Sequence, residues 1–221
     1  METEAKLGFN DKESLYALTT SDVFLKFCDD KIKPEPLLLE NTYLDTQDMS
    51  VSHRGGMIRV RHYSSKTEDN YEFTVKYGGF VSDGIHKRYE WNVKSEDGIF
   101  TIDGFKKNAS TDDDPAGLLS EVFSNIKDED LKVICSNSFT RIIYNLTYGV
   151  SNIEACFDSG IITSPDNLMT DEICEMELEL VKGNIEDLNE LKDYFIEKTG
   201  CFTFENTKYK RTLAMAAGRS E

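Results

Sequence analysis

The sequence predicts an α+β protein in which eight or so antiparallel strands close into a barrel, with short helices packed outside. Three observations predict it. Alternation of polar and apolar side chains with a period of two is the dominant signal along the chain. The polar faces of the strands carry sorted charges instead of the usual mixture. The helical patterns are few, short and amphipathic, and they lack the regular β-α-β spacing of a parallel sheet.

The first strand, residues 1–9, alternates Glu2, Glu4 and Lys6 with Thr3, Ala5, Leu7 and Phe9. Asn10 and Glu13 then form a capping-box pattern for a short helix carrying Leu15 and Leu18. Residues 31–47 read as extended, closing on Tyr43-Leu44-Asp45-Thr46. Strands follow over Met57–His62, with Arg59 and Arg61 on one face, and Tyr71–Tyr77, with Glu72, Thr74 and Lys76. Gly78-Gly79 and Asp83-Gly84 are the expected turns. Residues 85–94 set Arg88 and Glu90 against Tyr89 and Trp91, so Trp91 should face outward. A helix is expected from Pro115, capped by Asp114, with Leu118, Leu119, Val122, Phe123 and Ile126 on its apolar side.

Three strands (131–146, 149–162 and 172–182) then carry Arg141, the pair Glu154 and Asp158, and the run Glu175, Glu177 and Glu179. A helix over 185–198 ends at Gly200. A terminal strand is expected around Thr207–Ala214, containing Lys208.

Any one charged face reads as an ordinary solvated strand surface. Together, acidic on some strands and basic on others, they point to a shared lumen, with the apolar faces turned out against the helices. Clustered carboxylates suit hard divalent cations such as Mg²⁺ or Mn²⁺. Clustered Arg and Lys suit a polyanion. The two sets together are the kit of metal-assisted phosphoryl chemistry.

Composition narrows the classes further. The 221 residues are 39% hydrophobic and 30% charged, enough for a sizeable core. A net charge of −16 with no basic stripe argues against nucleic acid as a partner. No apolar run approaches a membrane span, and the N-terminus lacks an export signal. Five widely spaced cysteines without a CxxC pair fit reduced thiols and a cytoplasmic location, so the Asn145-Leu146-Thr147 sequon should stay unmodified. His53, His62 and His86 share no metal-ligand spacing. The acidic runs Asp112–Asp114 and Asp128–Asp130 read as loop and helix-cap charges.

The opening Glu2-Thr3-Glu4-Ala5-Lys6 is followed in order by Tyr43-Leu44-Asp45-Thr46, Ile58-Arg59-Val60-Arg61, Phe73-Thr74-Val75-Lys76 and Arg88-Tyr89-Glu90. Next come Thr140-Arg141, Ile153-Glu154 through Asp158, Glu175-Met176-Glu177-Leu178-Glu179 and Thr207-Lys208-Tyr209. This ordered series resembles the CYTH superfamily, the triphosphate tunnel metalloenzymes, over residues 1–215, leaving 216–221 as a tail or the start of a linker. The resemblance implies an eight-stranded antiparallel tunnel, a divalent metal and cleavage at a triphosphate.

Residues 41–61 and 154–158 look most like the bacterial inorganic triphosphatase branch. There a helical CHAD domain often follows, and it would lie beyond Glu221 in a longer chain. The resemblance also leaves a homodimer open.

By the same resemblance, Glu2, Glu4 and Glu177, assisted by Glu175, would hold the activating metal. Glu90, Glu154 and Asp158 would serve a second metal or position water. Lys6, Arg59, Arg61, Lys76, Arg88, Arg141 and Lys208 would clamp phosphate oxygens. Lys6, Tyr43 and Lys76 are the expected catalytic residues, although a tyrosine at a strand end could equally be packing. Relatives often place further basic residues after Arg141, where this chain has Ile142-Ile143-Tyr144, and Ser in place of Thr207. The expected activity is metal-dependent hydrolysis of inorganic triphosphate. Thiamine triphosphatase, class IV adenylyl cyclase and a non-catalytic polyphosphate-binding module are the alternatives. The absence of a lumen tryptophan favours the inorganic substrate over an aromatic one.

Overall fold

The computed structural model describes residues 1–29, 34–67, 69–110 and 117–218. Strand β1 (Glu2–Gly8) leads into α1 (Lys12–Leu18) and α2 (Asp22–Leu25). Strand β2 (Leu37–Asp45), helix α3 (Ser50–His53), and strands β3 (Gly56–Ser64), β4 (Asp69–Ser82) and β5 (Ile85–Ser95) follow. After α4 (Ile102–Asn108) and α5 (Leu118–Val122) come β6 (Lys132–Tyr148), β7 (Ser151–Thr163) and β8 (Thr170–Lys182). The chain continues through α6 (Ile185–Thr199), the two-residue β9 (Phe202–Thr203) and α7 (Lys208–Ala216).

All pairings are antiparallel, in the order β5-β4-β3-β2-β6-β7-β8-β1. Pairing of β1 with β5 closes the ring at Glu2↔Arg88 and Ala5↔Ile85. The result is the expected eight-stranded barrel, with β9 added beside the end of β1.

Closure removes the exposed edges that an open sheet would present. The outward faces are apolar and are covered in two blocks. Leu7, Phe157, Met176 and Leu178 pack with Leu15, Phe24, Leu188, Leu191 and Phe195 from α1, α2 and α6. Ile58, Val75 and Trp91 pack with Val51, Phe105, Leu119 and Val122 from α3, α4 and α5, so Trp91 faces outward as expected.

Several local expectations change. The α1 cap is Asp11, whose side chain accepts from the Ser14 backbone, and not Asn10. Gly78-Gly79 is a bulge inside β4 where a turn was expected. Gly79 stands at φ 101, and a Cβ there would lie 2.1 Å from the Lys87 carbonyl. Asp83-Gly84 is the turn, both residues having positive φ. The proposed cap Asp114, Pro115 and the run Asp112–Asp114 lie outside the described residues, as does the start of the extended segment at 31–33. The helix is described from Leu118. Sequence reasoning had no α2, α3, α4 or β9.

The largest correction is the C-terminal segment. Thr207 caps a helix, accepting from the Lys210 backbone, where a strand was expected. Helix α7 buries Lys208, Arg211, Thr212 and Met215 on one face. Met215 packs against Leu39, Phe139, Ile162 and Ile173, and the Tyr209 ring lies 4.9 Å from that of Tyr43. These strand residues share the alternation of Arg141, Asp158 and Glu175, so they point inward. Helix α7 therefore occupies one end of the barrel instead of covering its wall.

Candidate active site

The lumen is a cavity of about 480 Å³ whose lining includes every residue singled out for a site except Asp158 and Glu175. The alternation that turns leucines and valines outward turns these groups in. Strand β1 supplies Glu2, Glu4 and Lys6, β3 Arg59 and Arg61, β4 Lys76, and β5 Arg88 and Glu90. Arg141 comes from β6, Glu154 from β7 and Glu177 from β8. Lys208 enters from the first turn of α7, and Tyr43 from the end of β2.

Buried charges of this density persist only when paired. Glu2 accepts from Lys76 (2.8 Å) and Arg88 (3.1 Å), and Glu4 from Arg88 (2.5 Å), with Lys6 3.2 Å away. Lys76 also meets Glu90. Glu177 receives Lys6, Arg141 (2.6 Å) and Lys208 (2.9 Å). Burial opposes ionisation of Glu177, but Lys208, Lys6 and Arg141 outweigh it and hold this carboxyl well below its usual range. Asp158, with no exposure, accepts a two-point contact from Arg141 (2.7 and 2.6 Å) and a third from Lys208 (2.7 Å). Glu175, also buried, lies 3.1 Å from Lys208 and 3.5 Å from Arg211 of α7. These two carboxylates form the floor beneath the cavity.

Arg61 is different. Among the described residues it is the one lumen cation of the predicted set with no carboxylate within 4.0 Å, and its Nε donates instead to the neutral Asn41 Oδ1 at 2.8 Å. Burial and the neighbouring Arg59 and Arg141 pull its guanidinium down to about 10. Arg59 donates to Thr74 (2.8 Å), has Glu72 at 3.6 Å, and leaves a buried Nε without a partner. The β3 wall thus presents Arg61 with no described carboxylate at ion-pair distance and an Arg59 Nε without a partner.

The facing wall gathers carboxylates. Burial, with Glu2 and Glu90 close by, raises the Glu179 carboxyl to about 7. All the side-chain donors gathered there are carboxylate oxygens, a set that suits Mg²⁺ or Mn²⁺. No group of three or more His, Cys, Asp or Glu side chains among the described residues is assembled to hold a metal, since these carboxylates face Lys and Arg. The donor chemistry fits a divalent cation, which Glu2, Glu4 and Glu177 would hold in place of their present Lys and Arg partners.

The CYTH domain family matches residues 2–213. The chain belongs to the CYTH family. An inorganic triphosphatase of Haemophilus influenzae is 28% identical over 157 residues, 71% of this chain and 40% of that protein. The match therefore spans well under half the length of this curated relative. A Hippeastrum protein with a dominant triphosphatase activity superposes with a TM-score of 0.62 at 15% identity, covering 100% of this chain and 98% of that one. A Pyrococcus horikoshii protein gives 0.56 at 16% identity, covering 96% and 99%. At these identities the structures establish the shared fold.

Several residues of this CYTH lumen had no assigned role. Glu179 sat in the acidic run of β8, and its parity with Glu177 was a readable signal. Glu72, Asn92 and Lys94 also line the cavity, and Leu37, Tyr63 and Ile143 give it an apolar sector. His62 lies outside the lumen between Glu40 (3.0 Å) and Asp69 (2.6 Å), while buried His86 meets the Phe204 carbonyl at 3.3 Å. All five cysteines are free thiols.

Proposed function

We propose that this lumen hydrolyses inorganic triphosphate to pyrophosphate and phosphate in a metal-dependent reaction. The observation that carries the reading is the meeting of cations and carboxylates in one cavity. On β3 Arg61 has no described carboxylate within 4.0 Å, and on the facing wall Glu2, Glu4 and Glu90 crowd around Glu179. A polyanion complements Arg61, and the divalent cation that accompanies it would draw on the carboxylates.

Arg61, Arg59 and Arg141 bind non-bridging phosphate oxygens, and Lys6, Lys76, Arg88 and Lys208 complete the clamp. Fixing the chain of phosphates in one orientation lowers the entropic part of the barrier, and preset cations stabilise charge as the terminal phosphoryl group transfers. When bound, Mg²⁺ or Mn²⁺ would neutralise phosphate oxygens and polarise the group under attack. Helix α7 and the floor carboxylates exclude bulk water from the deep end. Tyr43, in contact with Tyr209 and with Asn137 (3.4 Å), supports the wall beneath this clamp.

A second reading has its own observation. The apolar sector of Leu37, Tyr63 and Ile143 offers a surface to the ring of an organic triphosphate such as thiamine triphosphate or ATP. The experiment is product analysis with inorganic triphosphate, thiamine triphosphate and ATP, each with Mg²⁺, Mn²⁺ or chelator. Fast, chelator-sensitive phosphate release from inorganic triphosphate is expected. Cyclic AMP from ATP would replace the hydrolase with a cyclase. Tight binding without turnover would leave a polyphosphate-binding module.

A further inference from the structure

Asn41 on β2 and Asn137 on β6 are direct cross-strand partners, 1% and 8% exposed, beneath the lumen surface. Their hydrogen bonds run in one direction. Arg61 Nε can only donate, so it fixes Asn41 with Oδ1 toward it (2.8 Å). Asn41 Nδ2 then donates to Asn137 Oδ1 (2.9 Å), and Asn137 Nδ2 donates to Thr212 Oγ1 on α7 (2.7 Å). The Thr212 hydroxyl in turn donates to the Lys208 carbonyl (2.7 Å). The Asn41, Asn137 and Thr212 side chains are buried with their partners in place, and all three are neutral.

We propose that Asn41 and Asn137 are positioning residues. They hold Arg61 in its phosphate-binding orientation without neutralising it, and they tie that orientation to the seating of α7. The inference rests on the reading of the lumen as a triphosphate site. Its physical content is the choice of an amide where Lys6, Lys76, Arg88, Arg141 and Lys208 meet carboxylates. Arg141, held by Asp158 through two contacts, is oriented and compensated at once. Arg61, held by Asn41, is oriented and keeps its charge for a ligand. The far end of the relay lies on the helix that also carries Lys208, so two phosphate-facing cations share one support.

The test compares KM, kcat and calorimetric binding of inorganic triphosphate, with Mg²⁺, for the wild type, Asn41→Asp and Thr212→Val. Asn41→Asp keeps the acceptor facing Arg61 but adds the charge. KM and the dissociation constant should rise about tenfold or more while kcat stays within about threefold. A purely structural Asn41 would leave both constants unchanged in a folded Asn41→Asp protein, and that result would overturn the inference. Thr212→Val cuts the relay on α7, away from the cavity, and should raise KM about threefold at unchanged kcat. If Asn41→Asp does not fold, Thr212→Val decides alone, and a wild-type KM there overturns the proposal. Wild-type protein that neither binds nor cleaves triphosphate would bring down the functional reading and this inference together. Wild-type turnover with unaltered variants would bring down the inference alone.

Discussion

On the side of the lumen built from β1, β7 and β8, each cation within reach has been matched: Lys6 and Lys208 by Glu177, Arg88 by Glu4, Arg141 by Asp158. On the β2–β3 side Arg61 leans on an amide and Arg59 on a threonine, with Glu72 at 3.6 Å from Arg59. The same residue type therefore does two jobs. Matched cations hold the barrel's interior together, and Lys208, Lys6 and Arg141 hold the Glu177 carboxyl well below its usual range. Arg61, with no described carboxylate within 4.0 Å, stores a vacancy for negative charge. Breaking a matched group should cost folding, and breaking an unmatched one should cost affinity.

Glu177→Ala should have the largest effect, because it strips Lys6, Arg141 and Lys208 of one shared partner. Unpaired buried charge of this kind costs about 3–5 kcal/mol, to be read from urea denaturation, and turnover should vanish with it. Arg61→Ala should invert that pattern. The urea midpoint should hold while KM for inorganic triphosphate rises about a hundredfold, in keeping with about 3 kcal/mol for a charge-assisted contact. A large loss of stability in Arg61→Ala would erase the distinction between the two walls.

Asn184→Ala sets the baseline. It removes the α6 cap that accepts from the Asp187 backbone (2.8 Å), should lower stability by about 1 kcal/mol, and should leave KM and kcat untouched. His62 gives the smallest effect, on the outer side of β3. Hydrogen bonds that its ring donates to the Asp69 and Glu40 carboxylates raise its pKa above the ordinary 6.5. The stabilisation is therefore complete below pH 6.5 and fades as pH rises through the raised value. Melting temperatures at pH 5.5 and 8 should show that loss in the wild type and not in His62→Gln.

The barrel and most of its charged lining were legible because strand alternation projects directly onto inside and outside. Trp91 outward and Glu90 inward follow from parity alone. Helix α7 was not legible as a helix for the same reason the lumen is interesting. Its buried stripe is Lys208, Arg211, Thr212 and Met215, spaced as a helix face should be but polar, since it faces charged and amide groups. A search for apolar periodicity passes over such a stripe. The roles of Asn41 and Asn137 were equally hidden, because a neutral residue on a charged face looks like a gap until the donors around it are placed. The Gly78-Gly79 pair misled in the opposite direction: two glycines that commonly mark a turn here let β4 bulge and run on for three more residues to Ser82.

Helix α7 lodged in one end of the barrel also makes the last segment of the fold part of the lumen. Lys208 and Lys6 share the Glu177 carboxylate, so residues far apart along the chain meet in one site.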